Sequence, residues 1–136
     1  MKKIVFACVH NAGPSQMAAA WARHLAGDRL EVVSGGTEPG PHVNLVVVEA
    51  MRELGIDLSG IQPQLLTPEL ARGADCLVTM GCGESCPVIP GVKHIDWPIT
   101  DTRGQPLEAV RRIRDQIQAR VLDLLRSEGV LDRSSS

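Results

Sequence analysis

Two kinds of apolar pattern alternate along this chain. Continuous apolar runs are typical of strands buried on both faces, whereas apolar positions that recur every three or four residues are typical of helices with one buried face. The continuous runs predict four strands, at residues 3–8, 30–33, 76–80 and 94–97. The periodic segments predict a helix that Gly27 closes, a helix over 43–54, a brief helix that opens at Thr67-Pro68 and a long helix over 107–124.

The order of these segments predicts the fold class. Strands that alternate with helices form a parallel sheet with right-handed crossovers and helices on both faces. We therefore expect a single-domain, three-layer, doubly wound α/β fold with a four-stranded parallel sheet. Because the sequence contains no repeat or linker, we assign one domain to residues 1–129 and a flexible tail to residues 130–136. In such sheets a ligand site lies at the carboxyl ends of the strands.

Composition and charge narrow the classes of function. The 136 residues suffice for one domain with a buried core, and their net charge is −2. The aromatic residues are one Phe and two Trp, with no Tyr, so the chain lacks the stacking platforms of single-stranded nucleic-acid binders. The sequence also has no basic stretch that would attract a phosphodiester backbone. We expect no nucleic-acid partner.

The sequence also bears on cellular location. No apolar stretch has the length of a signal peptide or of a membrane span. We therefore expect a cytoplasmic protein without a membrane partner, in which cysteines stay reduced. The four cysteines are Cys8, Cys76, Cys82 and Cys86. Cys76 falls within a predicted apolar strand and is interpreted as a core residue.

The loop after the first strand is the candidate site of chemistry. Cys8 ends that strand, and the backbone before the next helix can curl so that its N–H groups converge on an anion. Gly13 permits close approach, Asn11 tolerates a left-handed conformation, and the Ser15 hydroxyl could donate to the sulfur. Positive partial charge there stabilises a thiolate, the nucleophilic form of cysteine. On the local pattern alone, a buried structural cysteine is an equally good interpretation.

A longer similarity favours the first interpretation. The string from Cys8 to Ala18 resembles the signature loop of the low-molecular-weight tyrosine phosphatase superfamily, and most closely that of its arsenate reductase branch. The resemblance continues in the same order through nearly the whole chain, at residues 34–37, 48–51, 55–59, 79–82 and 86–87. Several short motifs in the right order are far more specific than a single loop.

This resemblance implies an activity and a set of site residues. It implies a phosphatase-type anion loop after the first strand and an arsenate reductase in which the Cys8 thiolate attacks arsenate. Asp101, four residues after Trp97, would protonate the leaving oxygen. On the residues alone, a turn or capping role for Asp101 is the more common interpretation. The arsenate oxygens would be held by the backbone of Val9, His10, Asn11, Ala12, Gly13 and Ser15.

The chain departs from the family pattern at position 14, where proline replaces the loop arginine. Arginines that bind a transferred oxyanion are worth on the order of 10³–10⁵ in rate, and one backbone donor about 10²–10³. Proline suits the first turn of a helix, so we expect the fold to be retained and oxyanion binding to be weakened. Arg103 is the candidate compensating cation, although a solvated loop arginine is the more common interpretation of that position.

The electron donor is left open by the other cysteines. Thioredoxin-coupled relatives relay oxidation through two cysteines about six residues apart, whereas Cys82 and Cys86 have three residues between them. The Thr79 to Cys82 string looks more like the branch that uses mycothiol and mycoredoxin, in which these candidate resolving cysteines need not react. We expect a low-molecular-weight thiol as co-substrate, mycoredoxin or thioredoxin as partner, no tightly bound cofactor, and no metal, since two cysteines make an incomplete ligand set.

Two other functions stay open. A phosphatase acting on small phosphate esters would use the same loop, although the absence of tyrosine and the scarcity of aromatic residues argue against recognition of aryl phosphates. A catalytically silent relative that binds an oxyanion is favoured by Pro14. The leading hypothesis is an arsenate reductase whose activity Pro14 impairs.

Overall fold

A four-stranded parallel sheet lies at the centre of residues 1–82 and 89–131, the part of the chain that the computed structural model describes. Its strands are β1 (Lys2–Cys8), β2 (Leu30–Gly36), β3 (Cys76–Met80) and β4 (Lys93–Asp96). They are arranged in the order β2-β1-β3-β4, and every pair is parallel. The predicted fold class is confirmed.

Helices connect the strands. They are α1 (Pro14–Ala26), α2 (Leu45–Arg52), the single turn α3 (Pro68–Ala71) and α4 (Leu107–Ser127), with a 3₁₀ turn at Gly27–Arg29. Thr67 caps α3 by accepting a hydrogen bond from the backbone N–H of Leu70, as its sequence predicts. Within the described residues, none of these helices combines the length and the apolarity needed to cross a membrane.

The two faces of the sheet are covered unequally. On one face α1 packs against β1, β2 and α4, and α4 packs against α2. Fully buried aliphatic and aromatic side chains fill this layer, among them Phe6, Met17, Met51, Ile117 and Leu125. The opposite face has a smaller cluster, which consists of Val5, Ala7, Ala71, Ala74 and Leu77. Most apolar burial therefore lies on the side of α1, the helix that follows the candidate loop.

Strand β2 is longer than its apolar pattern indicates. The predicted strand ends at residue 33, but Ser34, Gly35 and Gly36 pair in register with the last residues of β1. A Cβ atom on Gly36 would lie 2.6 Å from the carbonyl oxygen of Val9. Glycine is therefore required here because the candidate loop passes against this strand end, and the glycine pair does not mark a turn.

The chain after α4 stays packed against the domain past the predicted boundary at residue 129. Val130 and Leu131 donate backbone hydrogen bonds to the carbonyl of Leu125 and pack against the main core. The predicted flexible tail thus begins with two residues that contact the domain, and residues 132–136 lie outside the described part of the chain.

An ion-pair cluster joins α2 to α4. Arg111 donates from Nε to both carboxylate oxygens of Glu53, each at 3.0 Å, and Arg114 donates from Nη1 to Glu53 and to the carbonyl of Ala50. The hydrogen bond from Arg111, with a further one from Arg114, lowers the pKa of Glu53 to about 2. Asn44 and Leu45, at the start of the same helix α2, line the cavity described below.

We expect Glu53→Gln to lower the melting temperature at neutral pH. The folded-state pKa of Glu53 lies below its ordinary value of 4.5, so its stabilising contribution is complete above that pH and is lost as the pH falls towards about 2. The melting-temperature difference between wild type and Glu53→Gln should therefore shrink over this interval. Glu69→Gln is the control, since Glu69 is exposed and has no ion pair within the described residues. A difference that persists at pH 2 would contradict this account.

Candidate functional site

The candidate site lies at the carboxyl edge of the two central strands. Cys8 is the last residue of β1 and pairs in register with Met80, the last residue of β3, and with Gly36 of β2. A cavity of about 550 Å³ opens above Cys8 and is lined by the loop and by segments after β2, β3 and β4. We call residues 8–15 the anion loop and this space the Cys8 cavity. The convergence of strand ends expected from the fold class is therefore observed.

The anion loop directs its carbonyl groups towards the segment after β2. The carbonyls of residues 8, 9, 10 and 12 accept hydrogen bonds of 2.8–3.3 Å from backbone N–H groups within residues 37–44. Because a trans peptide places its N–H opposite its C=O, the N–H groups of the same peptides point away from that segment. Within residues 1–82 and 89–131, no acceptor takes a hydrogen bond from the N–H groups of residues 9–13. These free donors beside the cavity suit an anion.

Asn11 holds the loop in this shape. It is fully buried, and its φ is positive, at 51°. No other non-glycine residue in the described part of the chain has a positive φ. Its Nδ2 donates to Ser15 Oγ at 2.8 Å, while its Oδ1 accepts from Gln16 Nε2 and from the backbone N–H of Gln64, each at 3.0 Å. Those three hydrogen bonds compensate for burying the amide and for a backbone conformation that costs most residues about 1–2 kcal/mol.

The Cys8 thiol is hydrogen-bonded to the Ser15 hydroxyl. Its Sγ lies 2.9 Å from Ser15 Oγ, and the oxygen of Ser15 already accepts from Asn11. The hydroxyl proton of Ser15 is therefore free to point at sulfur, where it stabilises a thiolate. Burial and the nearby Glu128 carboxylate raise the pKa of the Cys76 thiol to about 11, which keeps that cysteine a neutral thiol.

The start of the helix after the loop is formed by Gly13, where no side chain fits, and by Pro14, the first helical residue. A Cβ atom on Gly13 would lie 2.1 Å from Oγ1 of the buried Thr102, which comes from the segment after β4. Pro14 is the first residue of α1 and lines the Cys8 cavity. Position 14 thus contributes neither a cation nor an N–H donor, but its fixed φ fits the first helical turn.

The segment after β4 supplies the charged groups of the cavity wall. Asp101 and Arg103 both line the cavity, and the Asp101 carboxylate accepts a 3.1 Å hydrogen bond from the backbone N–H of Arg103. The Arg103 side chain extends to the anion loop, where its Nη2 bonds to His10 Nε2. The other ring nitrogen of His10, Nδ1, lies 3.0 Å from the carbonyl oxygen of Glu38.

The candidate resolving cysteines are described only in part. Gly81 lines the Cys8 cavity and Cys82 follows it as a buried residue, while Cys86 lies outside the described residues. Among the described residues, no group of three or more His, Cys, Asp or Glu side chains could hold a metal ion. Three supporting residues escaped the sequence patterns, namely Thr102, Gln64 and Gly36, because each acts through a contact with a distant segment.

The fold and the site together define an α/β domain with a cysteine inside an anion-binding loop at the head of a helix. The family model described as low molecular weight phosphotyrosine protein phosphatase matches residues 3–130, so the chain belongs to this family.

Individual relatives carry a more specific name. The chain is 36% identical over 123 residues to arsenate reductase 2 of Staphylococcus epidermidis, covering 88% of this chain and 93% of that protein. It resembles the solved structure of a thioredoxin-dependent arsenate reductase of Corynebacterium glutamicum (TM-score 0.81, 36% identity), covering 93% of this chain but only 61% of that one. A solved arsenate reductase in the phosphate-binding state matches with a TM-score of 0.82 at 32% identity, covering 93% and 98% of the two chains.

We expect substitutions of Asn11 to separate its two roles. Asn11→Gly keeps the left-handed backbone but loses the three amide hydrogen bonds, whereas Asn11→Ala also adds backbone strain. Urea unfolding should show that both variants are destabilised. The free energy of unfolding of Asn11→Ala should be lower than that of Asn11→Gly by about 1 kcal/mol, which is the cost of this backbone conformation for an ordinary residue.

The chemical readout is alkylation of the cysteines by iodoacetamide. Phosphate should protect Cys8 in the wild type and fail to do so in both Asn11 variants, because the loop donors are no longer held together. Cys76, which is fully buried, serves as the internal reference. Equal stability of the two variants, with phosphate protection retained in both, would show that Asn11 does not organise the loop.

Proposed function

We propose that this protein is an arsenate reductase in which Cys8 forms the covalent adduct with arsenate. The observation that supports it most directly is the Cys8 thiol, which lies 2.9 Å from the Ser15 hydroxyl in a loop whose N–H groups at residues 9–13 have no acceptor within the described part of the chain. The similarity to proteins named arsenate reductases over about nine-tenths of the chain supports the choice of substrate. The Cys8 cavity offers both a nucleophile and donors for a tetrahedral oxyanion.

The first step joins sulfur to arsenic. The Cys8 thiolate attacks arsenic(V), and one arsenate oxygen leaves as water after it is protonated. Asp101 is the candidate donor of that proton, since its carboxyl group lines the same cavity. The free N–H groups of the anion loop would bind the remaining oxygens, which keep their negative charge during the attack. No electron is transferred to arsenic in this step.

The second step requires thiols as the source of two electrons. If a thiol attacks Cys8 Sγ, a disulfide forms, the S–As bond breaks, and its electron pair reduces arsenic(V) to arsenite. If a small thiol first attacks arsenic, Cys8 is released, and a redoxin then attacks the sulfur of the small thiol with the same electron balance. The thioredoxin-dependent relative supports a redoxin as donor. The spacing of Cys82 and Cys86 favours mycothiol with mycoredoxin, and thioredoxin is the alternative.

A phosphatase acting on small esters is the second candidate, because phosphate and arsenate have the same shape and charge. The chain's family supports it. The cavity argues against aromatic substrates, since no Phe, Tyr or Trp lines it within the described residues. We therefore expect any phosphatase activity to be minor.

We expect Cys8→Ser to abolish arsenite release. The assay measures arsenite formed from arsenate in the presence of mycothiol with mycoredoxin and, separately, of thioredoxin with its reductase, and phosphate release from a generic ester runs in parallel. Cys76→Ala is the matched control and should keep its activity, because Cys76 lies at the other end of β3, opposite Ile4. Arsenite release by Cys8→Ser at the wild-type rate would rule out the adduct. Phosphate release without arsenite release would make the protein a phosphatase.

We expect Cys82→Ser and Cys86→Ser to keep the activity supported by mycothiol and mycoredoxin. In that route the attacking thiol comes from the co-substrate, so neither cysteine has to react. Loss of turnover in either variant with this donor system, at unchanged melting temperature, would show that the protein has its own cysteine relay. Thioredoxin would then be the better assignment of the donor.

A further inference from the structure

The Cys8 cavity lacks the cation that its loop would be expected to provide. Position 14 is proline, which has neither a charge nor an N–H donor. Among the described residues that line the cavity, Arg103 is the only arginine or lysine. An oxyanion with two negative charges that enters this cavity therefore meets one permanent positive charge, and it comes from the segment after β4.

Arg103 is held at the cavity by two contacts. Its backbone N–H donates to the Asp101 carboxylate at 3.1 Å, and its guanidinium donates from Nη2 to His10 Nε2. Its side chain forms no ion pair within residues 1–82 and 89–131, so no described carboxylate is in direct contact with the guanidinium. A guanidinium has five N–H donors, and the contact with His10 uses one of them. The others are available for an oxyanion.

His10 is suited to hold this guanidinium. The carbonyl of Glu38 can only accept, so the nearby Nδ1 of His10 carries the ring proton. The other nitrogen, Nε2, then has a single free lone pair. It can accept a hydrogen bond from one arginine N–H, and no other donor can use it at the same time. His10 belongs to the anion loop itself. The contact therefore couples the position of the Arg103 charge to the backbone donors around Cys8.

We propose that Arg103 is the oxyanion-binding cation of this protein, in place of an arginine at position 14, and that His10 positions it. The proposal rests on the proposed function only in taking an oxyanion as ligand, and it concerns binding and not reduction. Arg103 touches the anion, whereas His10 acts through Arg103. The charge thus reaches the anion from the segment after β4 while the backbone donors of the anion loop remain in use.

The test is calorimetric titration of the reduced full-length protein with inorganic phosphate. Arg103→Ala should weaken phosphate binding by about 10–100-fold, the value of one charge-assisted hydrogen bond. Arg103→Lys should bind with intermediate affinity, because it keeps the charge but loses the planar fork. Arg112→Ala is the matched control, since Arg112 is an exposed arginine of α4 whose ion pair is with Glu108, and it should bind like the wild type.

A double-mutant cycle tests the role of His10. His10→Ala should weaken phosphate binding in the wild type and have no effect in the Arg103→Ala background, because its action passes through Arg103. In the arsenate assay, His10→Ala should raise KM more than it lowers kcat. Pro14→Arg should raise phosphate affinity more in the Arg103→Ala background than in the wild type, because the two arginines would serve the same anion.

Several results would overturn this inference. They are wild-type affinity in Arg103→Ala, an equal loss in Arg112→Ala, equal gains from Pro14→Arg in both backgrounds, and no measurable phosphate binding by the wild type. An additive effect of His10→Ala would remove His10 from the proposal. Phosphate is not reduced, so the binding result is independent of the redox assay. Arg103-dependent binding without arsenite release would sustain this inference and refute the proposed function alone.

Discussion

The left-handed backbone at Asn11 is the constraint on which the geometry of the site depends. The left-handed conformation at Asn11, with φ 51°, changes the direction of the backbone. Carbonyl groups before and after this residue can therefore accept hydrogen bonds from the segment after β2. That orientation frees the N–H groups of the anion loop. The amide of Asn11 also anchors Ser15, whose hydroxyl faces the Cys8 sulfur. The shape of the loop and the position of the Ser15 hydroxyl beside the Cys8 sulfur thus both involve one buried side chain.

The sequence predicted the parts of this arrangement that are local. The apolar run of β1, the cysteine at its end and the glycine before the helix are neighbours in the chain, so their pattern could be interpreted without a structure. The fold class also followed, because the alternation of strands and helices leaves few topologies. The resemblance to a family then connected Cys8 with Asp101 across most of the chain.

The parts that escaped prediction depend on contacts between distant segments. The predicted strand stops before Gly35 and Gly36, yet both residues extend β2. They are glycines because the close approach of Leu66 and of the anion loop leaves no space for a side chain. Thr102 is buried against Gly13, and nothing in its own neighbourhood indicates that contact. For Arg103 the sequence favoured a solvated loop residue. The structure shows an exposed residue that nevertheless bonds to His10 and lines the cavity.

Pro14 shows that the residue that starts α1 need not be the residue that supplies the positive charge of the site. The first turn of α1 needs a residue that accepts helical φ and does not need its own N–H, and proline meets both conditions. The backbone donors of the anion loop stay in place because Asn11, and not residue 14, sets their direction. The positive charge that binds the anion does not have to come from the anion loop, because the carboxyl ends of all four parallel strands lie at one edge of the sheet. A cation from the segment after β4 can therefore reach the same anion, provided that a partner such as His10 holds its side chain in place.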